Sequence, residues 1–315
     1  MLSGCDLVLL HPAGDVARQE SDLMIASVIL MSLIIVPVLI AIGVIAWRYR
    51  STNKHADYDP EWDHSSKFEL MVWAAPLLII IVLGAMTWIG THQLDPYRAL
   101  TRTGAGQPLA ATTQPLEVEV VSLDWKWLFF YPQYGIATVN QLAAPLDTPI
   151  HFKLTSTETM NAFFVPSLSG MIYSMPGMQT VLNAVINKPG DFDGFSSNYS
   201  GEGFTDMRFR FLGMSQRDFS RWVAKVRASG GNLDTRTFNQ LNQPSRAEPV
   251  HYYARFDADL YHRILNRCVD PGQLCMDAMM TMGAHGDHAM RDGAAGDAMP
   301  SHPSMTAPAR DAATH

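Results

Sequence analysis

The sequence predicts two transmembrane helices followed by an all-β domain of the Greek-key sandwich or barrel class. Residues 23–47 and 70–94 contain no Asp, Glu, Lys or Arg, and each run exceeds the ~20 residues that a helix needs to cross a bilayer. Short runs of period-two alternation, separated by Gly and Pro, begin near Leu116 and predict the β domain. Composition agrees, because the 315 residues are 47% hydrophobic and only 17% charged.

The distribution of Lys and Arg predicts the orientation of the hairpin. The predicted spans cover residues 23–47 and 68–92 of a hairpin at 23–94. The connecting loop at 48–67 carries four basic residues: Arg48, Arg50, Lys54 and Lys67. Positive residues concentrate in cytoplasmic loops, so we expect this loop in the cytoplasm. The N-terminus and everything after about residue 94 then face the periplasm of a Gram-negative cell.

Residues 1–22 form a predicted N-terminal periplasmic segment that contains a lipobox. Leu2, Ser3 and Gly4 precede Cys5 as in the sites where bacterial lipoproteins are cleaved and acylated on the Cys. A signal peptide normally places an apolar stretch before such a site, so this interpretation expects the functional gene to begin upstream of Met1. The alternative is a chance match of four permissive positions.

The second span leads through a linker into the β domain. Residues 95–114 are the predicted linker, rich in Thr, Gly, Ala and Pro, and residues 115–213 are the predicted β domain. Strands are predicted by alternation or by flanking Pro-Gly pairs at four places: 116–121, 149–154, 179–186 and 207–211.

An aromatic-rich extension at 214–268 and a tail at 269–315 follow. We predict one helix over 215–229, with Ser215 as its N-cap and an apolar face, and a shorter one over 257–268. Cys268 and Cys275 are predicted to form a disulfide on the oxidising side of the membrane; free thiols or a soft-metal site are the alternatives. The Met- and His-rich tail lacks bulky apolar residues and is predicted to be disordered. Its potential weak copper ligands are Met279, Met280, Met282, His285, His288 and Met290.

The segment at 194–207, GFSSNYSGEGFTDM, resembles the copper-ligand loop of subunit II of the respiratory haem-copper oxidases. In that family two Cys, a Glu, two His and a Met hold a binuclear copper centre. The corresponding positions in this chain are Ser196 and Ser200 for the Cys pair, Asn198 for the Glu, Asn161 and Phe204 for the His pair, and Met207. Hydroxyls, amides and a phenyl ring do not replace thiolates and imidazoles as copper ligands. The resemblance therefore points to the quinol-oxidising branch, which lacks this centre.

Other segments carry the same resemblance. Residues 160–166 and 175–179 match family segments and imply a cupredoxin-like barrel, while 251–256 resembles the C-terminal extension of bo-type quinol oxidases. Residues 124–131 match the aromatic stretch from which cytochrome c oxidases pass an electron to copper. Without copper that route ends, so we expect these aromatics to pack and to dock against the catalytic subunit. Lys126 within them suggests that one side of this strand is not simply buried.

The resemblance implies a copper-free, haem-free subunit of a proton-pumping ubiquinol oxidase of the inner membrane. Haems and copper are expected in the partner catalytic subunit I, with ubiquinol as the substrate of the complex. Other oxidase subunits and membrane lipid are the expected partners, and nucleic acid is not. The alternatives are a membrane-anchored copper-handling lipoprotein that uses the Met/His tail, and subunit II of a cytochrome c oxidase.

Glu69 is the single candidate for a direct share in the chemistry. It stands at the start of the second span, in the segment 64–76 that resembles the entry to the family's second helix. There the family has a Glu at the mouth of a proton channel into the catalytic subunit. Ionisable groups at membrane depth are costly and favour a functional hypothesis. The alternative is an interfacial carboxylate that snorkels or pairs with Lys67.

Overall fold

The chain was analysed as a computed structural model, which describes residues 8–56, 60–110, 113–270 and 272–281. Two long helices, α1 (Asp15–Arg48) and α2 (Ser66–Gln93), precede the β domain. Their most apolar windows have mean hydropathies of 3.1 and 2.4, and their large apolar side chains are mostly exposed. The core helix of a soluble protein would bury such side chains, so these helices anchor the protein in a membrane.

The two helices pack directly on each other. At Gly90 a Cβ atom would lie 2.9 Å from Leu23 Cδ2, so the missing side chain is what lets the end of α2 approach the apolar start of α1. Close contact of this kind is how helices associate in lipid.

The first helix begins earlier than the apolar run predicts. It starts at Asp15, eight residues before the expected start at 23, because its first turn is docked on the β domain. The Ala13 and Gly14 amides both donate to Ser167 O at 2.9 Å, and Asn187 N donates to Ala13 O at 2.8 Å. A Cβ atom at Gly14 would stand 2.6 Å from two backbone oxygens, so this approach needs glycine. The structure thus moves the start of the first helix from the predicted residue 23 to Asp15.

Short strands follow in the part of the chain that the structure describes. They are β1 (Arg102–Gly104), β2 (Gln107–Pro108), β3 (Leu116–Leu123), β4 (Lys126–Tyr131), β5 (Ile136–Val139), β6 (Gln141–Pro145), β7 (Pro149–Ser156), β8 (Asn161–Phe164), β9 (Ile172–Ser174), β10 (Thr180–Val185), β11 (Gly190–Ser196), β12 (Arg208–Met214), β13 (Asn232–Leu233), β14 (His251–Tyr253) and β15 (Arg255–Phe256). The predicted strands are confirmed as β3, β7, β10 and β12, each within a few residues of its expected bounds. The predicted linker contains the β1–β2 hairpin.

Two sheets form the barrel. One has the order β10-β7-β3-β4-β5-β14 and the other the order β6-β12-β11-β8-β9. Neighbours are antiparallel except β3 with β7 and β12 with β6, which are parallel. The aromatic rings of Trp127, Phe129, Phe152, Phe163 and Phe209 fill the space between the sheets. This arrangement is the predicted cupredoxin-like all-β domain.

The C-terminal extension packs on the barrel, and its part after α3 covers the outer face of the first sheet. It contains α3 (Gln216–Ala228), α4 (Thr235–Leu241) and α5 (Leu260–Leu265). The predicted cap of α3 is confirmed, because Ser215 Oγ accepts from Asp218 N at 3.2 Å. The second predicted helix is shorter than expected, and α4 was not predicted.

A second apolar cluster lies between the sheet and the extension. It joins Leu128 and Phe130 of β4 to Phe238, Leu260 and Ile264. Strand β4 is therefore buried along its whole length, and the expectation that the Lys126 side is not simply buried is wrong.

The predicted tail at 269–315 is partly ordered at its start. The structure has a disulfide between Cys268 and Cys275, and helical turns follow at 276–281. Met276 packs on Gly177. Cys5, and the potential ligands Met282, His285, His288 and Met290, lie outside the described residues.

Candidate functional site

Three of the six copper-site positions meet at one end of the barrel. Asn161 begins β8 and Ser196 ends β11, and these two strands pair. The Ser196 hydroxyl donates to Asn161 Oδ1 at 3.1 Å and accepts from Ala162 N at 3.4 Å. Ser196 N in turn donates to the backbone oxygen of the fully buried Met207 at 3.2 Å. Hydrogen bonds thus occupy the polar atoms at the centre of the frame.

The other three positions surround this centre. Asn198 Nδ2 donates to Met160 O at 3.0 Å. The Phe204 ring is half-buried and packs against the exposed Tyr199, with ring centroids 5.7 Å apart. The Ser200 hydroxyl is buried and has no hydrogen-bond partner among the described residues.

This donor set does not fit copper. A single thioether, two hydroxyls, two amides and a phenyl ring offer no thiolate or imidazole, the ligands that bind copper in proteins. Elsewhere too, among the residues that the structure describes, no three or more His, Cys, Asp or Glu side chains form a group that could hold a metal ion. At most of the positions where the family has copper ligands, the side chains of this chain make hydrogen bonds or pack against a ring.

Trp125 is seated on the same loop. Its indole Nε1 donates to Ser200 O at 3.0 Å. A Cβ atom at Gly203 would lie 2.3 Å from the indole ring, so the ring occupies the space that a side chain would need. Trp125 adopts a left-handed backbone with φ of 64°, which is uncommon for a non-glycine residue. The aromatic stretch at 124–131 therefore packs against the barrel, as its predicted packing role requires.

A covering segment at residues 241–248 lies over this end of the sheet. The Lys126 side chain is 1% exposed, and its Nζ donates to Leu241 O at 2.8 Å and to Gln243 O at 2.7 Å. Burial lowers the pKa of Lys126, and the nearby Glu248 and Asp124 carboxylates oppose that shift. Lys126 thus holds the covering segment through main-chain carbonyls.

The covering segment also contacts the loop that the copper ligands would occupy. Arg246 pairs with Glu202 at 3.2 Å and with Asp206 at 3.1 Å. Asn140 Nδ2 donates to Glu248 O at 2.8 Å, while Asn140 Oδ1 accepts from Trp127 N at 2.8 Å. The contacts of Arg246 with Asp206 and of Asn140 with Glu248 were not predicted, because they join residues separated by forty or more positions in sequence. Lys126 among aromatic neighbours was interpreted as a sign of an unburied strand side and did not indicate them.

Glu69 lies far from this site, in the first turn of α2. Its carboxylate contacts His64 Nδ1 at 2.7 Å, and both side chains are more than half exposed. The partner is therefore His64 and not Lys67, the partner considered in the alternative interpretation of Glu69 as an interfacial carboxylate. Since α2 ends beside the β domain, Glu69 lies at the end of α2 that is distant from this domain.

Taken together, these features define a membrane-anchored protein with a cupredoxin-like domain in which the positions of the copper ligands offer no thiolate or imidazole. Comparison with known proteins agrees. The chain is 44% identical over 289 residues to cytochrome bo(3) ubiquinol oxidase subunit 2 of Pseudomonas aeruginosa, covering 92% of this chain and 83% of that protein. It is 45% identical to ubiquinol oxidase subunit 2 of Acetobacter aceti, with 84% of each chain covered. The chain belongs to the cytochrome bo(3) ubiquinol oxidase subunit 2 family.

Two further matches cover parts of the chain. The family described as the COX Aromatic Rich Motif matches residues 227–272, which cover most of the C-terminal extension and the first residues of the tail. Among solved structures, the periplasmic domain of subunit II of cytochrome oxidase from Bradyrhizobium japonicum is similar over 37% of this chain and 96% of that chain, with 20% identity and a TM-score of 0.35.

Proposed function

We propose that this chain is the copper-free subunit 2 of a proton-translocating ubiquinol oxidase of the aerobic respiratory chain. The complex would pass electrons from ubiquinol to oxygen, with haems and copper in the partner catalytic subunit I. The observation that carries the proposal is the donor set at the ligand frame, where Ser196 and Asn161 bond to each other. A subunit that took electrons from cytochrome c would need a metal at this place, and these side chains do not fit one.

The chain's own work in this proposal is structural. The extension buries the outer face of the first sheet, and Arg246 ties it to the former ligand loop. The barrel then serves as a rigid cover for the catalytic subunit. We place the protein in the bacterial inner membrane, with both helices spanning it, the β domain in the periplasm and a lipid on Cys5.

Glu69 is proposed as a proton-entry group for the catalytic subunit. Its contact with His64 at 2.7 Å supports this role, because an imidazole can both accept and donate a proton and so can pass one to a neighbouring carboxylate. Its place at the membrane face opposite the β domain also fits, since oxygen reduction would draw protons from the cytoplasm.

Metal content tests the proposed function. The full chain, purified and incubated with Cu(II), is passed through a desalting column and its copper is measured by mass spectrometry. We expect no retained copper in the wild type. The combined variant with Ser196→Cys, Ser200→Cys, Asn161→His and Phe204→His should acquire a coloured copper–thiolate site, whereas the matched variant with the two Cys changes alone should not.

Each competing function has its own outcome in this experiment. Copper held in the barrel of the wild type would identify a cytochrome c oxidase subunit and overturn the proposal. Copper that is lost when residues 282–315 are deleted would identify a copper carrier, which is the other alternative. A folded combined variant that binds no copper would contradict the assignment of the ligand frame.

A further inference from the structure

A cavity lies between the two helices and the barrel, where the chain leaves the membrane. Its volume is about 490 Å³. Its wall comes from the first turns of α1, from residues 93–102 after α2, and from the barrel at 169–171 and 182–183. The ligand frame lies elsewhere in the barrel and shares none of these residues, so the cavity is a separate feature.

The cavity is at the height of lipid headgroups. The apolar run of α2 ends at Leu94, one of the residues that line the cavity. Glu20 lies on the facing wall, three residues before Leu23, where the apolar run of α1 begins. Three residues correspond to about 4.5 Å of helix rise. The headgroup layer on each side of a bilayer is about 5–8 Å thick. A lipid at this membrane surface therefore presents its polar part to the cavity.

Both signs of charge line the cavity. Asp15, Glu20 and Asp95 supply carboxylates, while Arg98 and Arg102 supply guanidinium groups. Arg102 Nε is paired with Asp15 Oδ2 at 2.8 Å. Arg98 makes only a long bond of 3.3 Å to His92 O and has no ion pair with a described residue. Arg98 is thus available to an anionic group.

The Asp15 carboxylate has spare acceptor capacity. Its side chain is 2% exposed. Oδ2 accepts from Gln19 Nε2 at 2.9 Å as well as from Arg102. The other oxygen, Oδ1, is buried without a hydrogen-bond partner among the described residues. An unsatisfied buried carboxylate oxygen is costly, and a cationic donor in the cavity would relieve that cost.

The Glu20 carboxylate lies against the backbone of Gly170. Burial raises the pKa of Glu20, and the Gly170 amide opposes that shift. A Cβ atom at Gly170 would stand 2.7 Å from Glu20 Oε1, so the carboxylate fills the place of that missing side chain. A side chain at residue 170 would therefore displace the Glu20 carboxylate, although Gly170 itself carries no charge.

We propose that this cavity binds the headgroup of a zwitterionic phospholipid that carries a primary ammonium, the chemistry of phosphatidylethanolamine. The phosphate pairs with Arg98, and the ammonium donates to Asp15 and Glu20. A primary ammonium has three N–H donors, which a choline headgroup lacks. A glycerol headgroup leaves the lipid net anionic and opposite three carboxylates, so its binding should be weaker.

Binding is tested with the full chain in detergent by native mass spectrometry. The probes are short-chain phosphatidylethanolamine, phosphatidylcholine, phosphatidylglycerol and inorganic phosphate. We expect one phosphatidylethanolamine per chain at saturation. It should bind about ten-fold more tightly than the other lipids, since a charge-assisted hydrogen bond is worth about a factor of ten in affinity.

Three variants and two controls assign the contacts. Arg98→Gln, Glu20→Gln and Gly170→Ala should each weaken phosphatidylethanolamine binding by about ten-fold. Glu20→Gln should also remove the preference over phosphatidylcholine. Two changes at exposed positions outside the cavity, Arg217→Gln and Glu158→Gln, are the matched controls and should leave binding unchanged.

The comparison of headgroups on the unchanged chain decides the proposal even where a variant unfolds. Equal binding of the three lipids would overturn it, as would inorganic phosphate that displaces the lipid at equal concentration. A Gly170→Ala chain that is folded, as its thermal unfolding midpoint reports, and that binds lipid like the wild type would also overturn it.

Discussion

Glu119 makes the stability of the β domain depend on pH in an unusual direction. It lies on the outer face of β3, beside Lys153 of β7 in the sheet register. Burial raises its pKa from 4.5 to about 7, Lys153 opposes the shift and Glu117 adds to it. The folded state therefore holds a proton between pH 4.5 and 7 that the unfolded state releases. Stability from this group is fully present below pH 4.5 and is lost as the pH rises through 7.

The size of the effect follows from the shift. The change of this pKa from 4.5 to about 7 corresponds to an upper bound of about 3 kcal/mol, because one pKa unit is worth about 1.4 kcal/mol. Glu119 is only half-buried, so solvent screening reduces this to about 1–2 kcal/mol. Glu119→Gln keeps the shape of the protonated acid and does not ionise. We expect the variant to match the wild type near pH 4.5 and to be about 1–2 kcal/mol more stable at pH 8.

Urea unfolding of the full chain in detergent, followed by tryptophan fluorescence from pH 4.5 to 8, measures this difference. Trp127 and Trp222 are buried in the barrel core and report its unfolding. Glu158→Gln, at an exposed position, is the control and should follow the wild type at every pH. If Glu119→Gln and the wild type lose stability with pH in parallel, Glu119 is not the group responsible and the reasoning fails.

Three further predictions concern other sites. Lys126→Met should destabilise the domain by about 2–4 kcal/mol, because two carbonyls of the covering segment lose their donor; in the same urea assay the exposed Lys225→Met should change stability little. Glu69→Gln should slow quinol oxidation by the purified complex several-fold with normal haem content, while Asp63→Asn in the adjacent loop should not; full activity at neutral and alkaline pH would leave Glu69 an interfacial group. Mass spectrometry of the purified subunit should find an acylated Cys5, and an unmodified peptide containing it would disprove lipidation.

The sequence predicted those elements whose characteristic pattern is complete within a short stretch of residues. The second transmembrane helix, the alternating strands β3 and β12 and the capped helix α3 were placed within a few residues. In each case the pattern is local, because a helix face or a cap is complete within a few turns. The ligand frame was found for a related reason, since its residues lie mostly within a single loop.

What the sequence did not predict depends on contacts between distant residues. The polar first turns of α1 are helical because residues 13–17 dock on the barrel, and hydropathy does not register that contact. Lys126 suggested an open sheet face, yet the covering segment buries it. The cavity wall likewise combines three separate stretches of chain. None of these features has a signature in local composition.

The docking of α1 has a geometric consequence. The helix runs without interruption for 34 residues, about 51 Å, from a turn fixed in the barrel to the far side of the apolar run. The helix therefore fixes both the distance and the rotation between the barrel and the apolar run. One residue inserted after Ala17 would rotate the rest of α1 by about 100° relative to the barrel and shift it by about 1.5 Å along the helix axis. A different side of α1 would then face α2. The number of helical residues between the barrel and the apolar run therefore sets how the barrel is rotated relative to any protein that packs on the two helices in the bilayer.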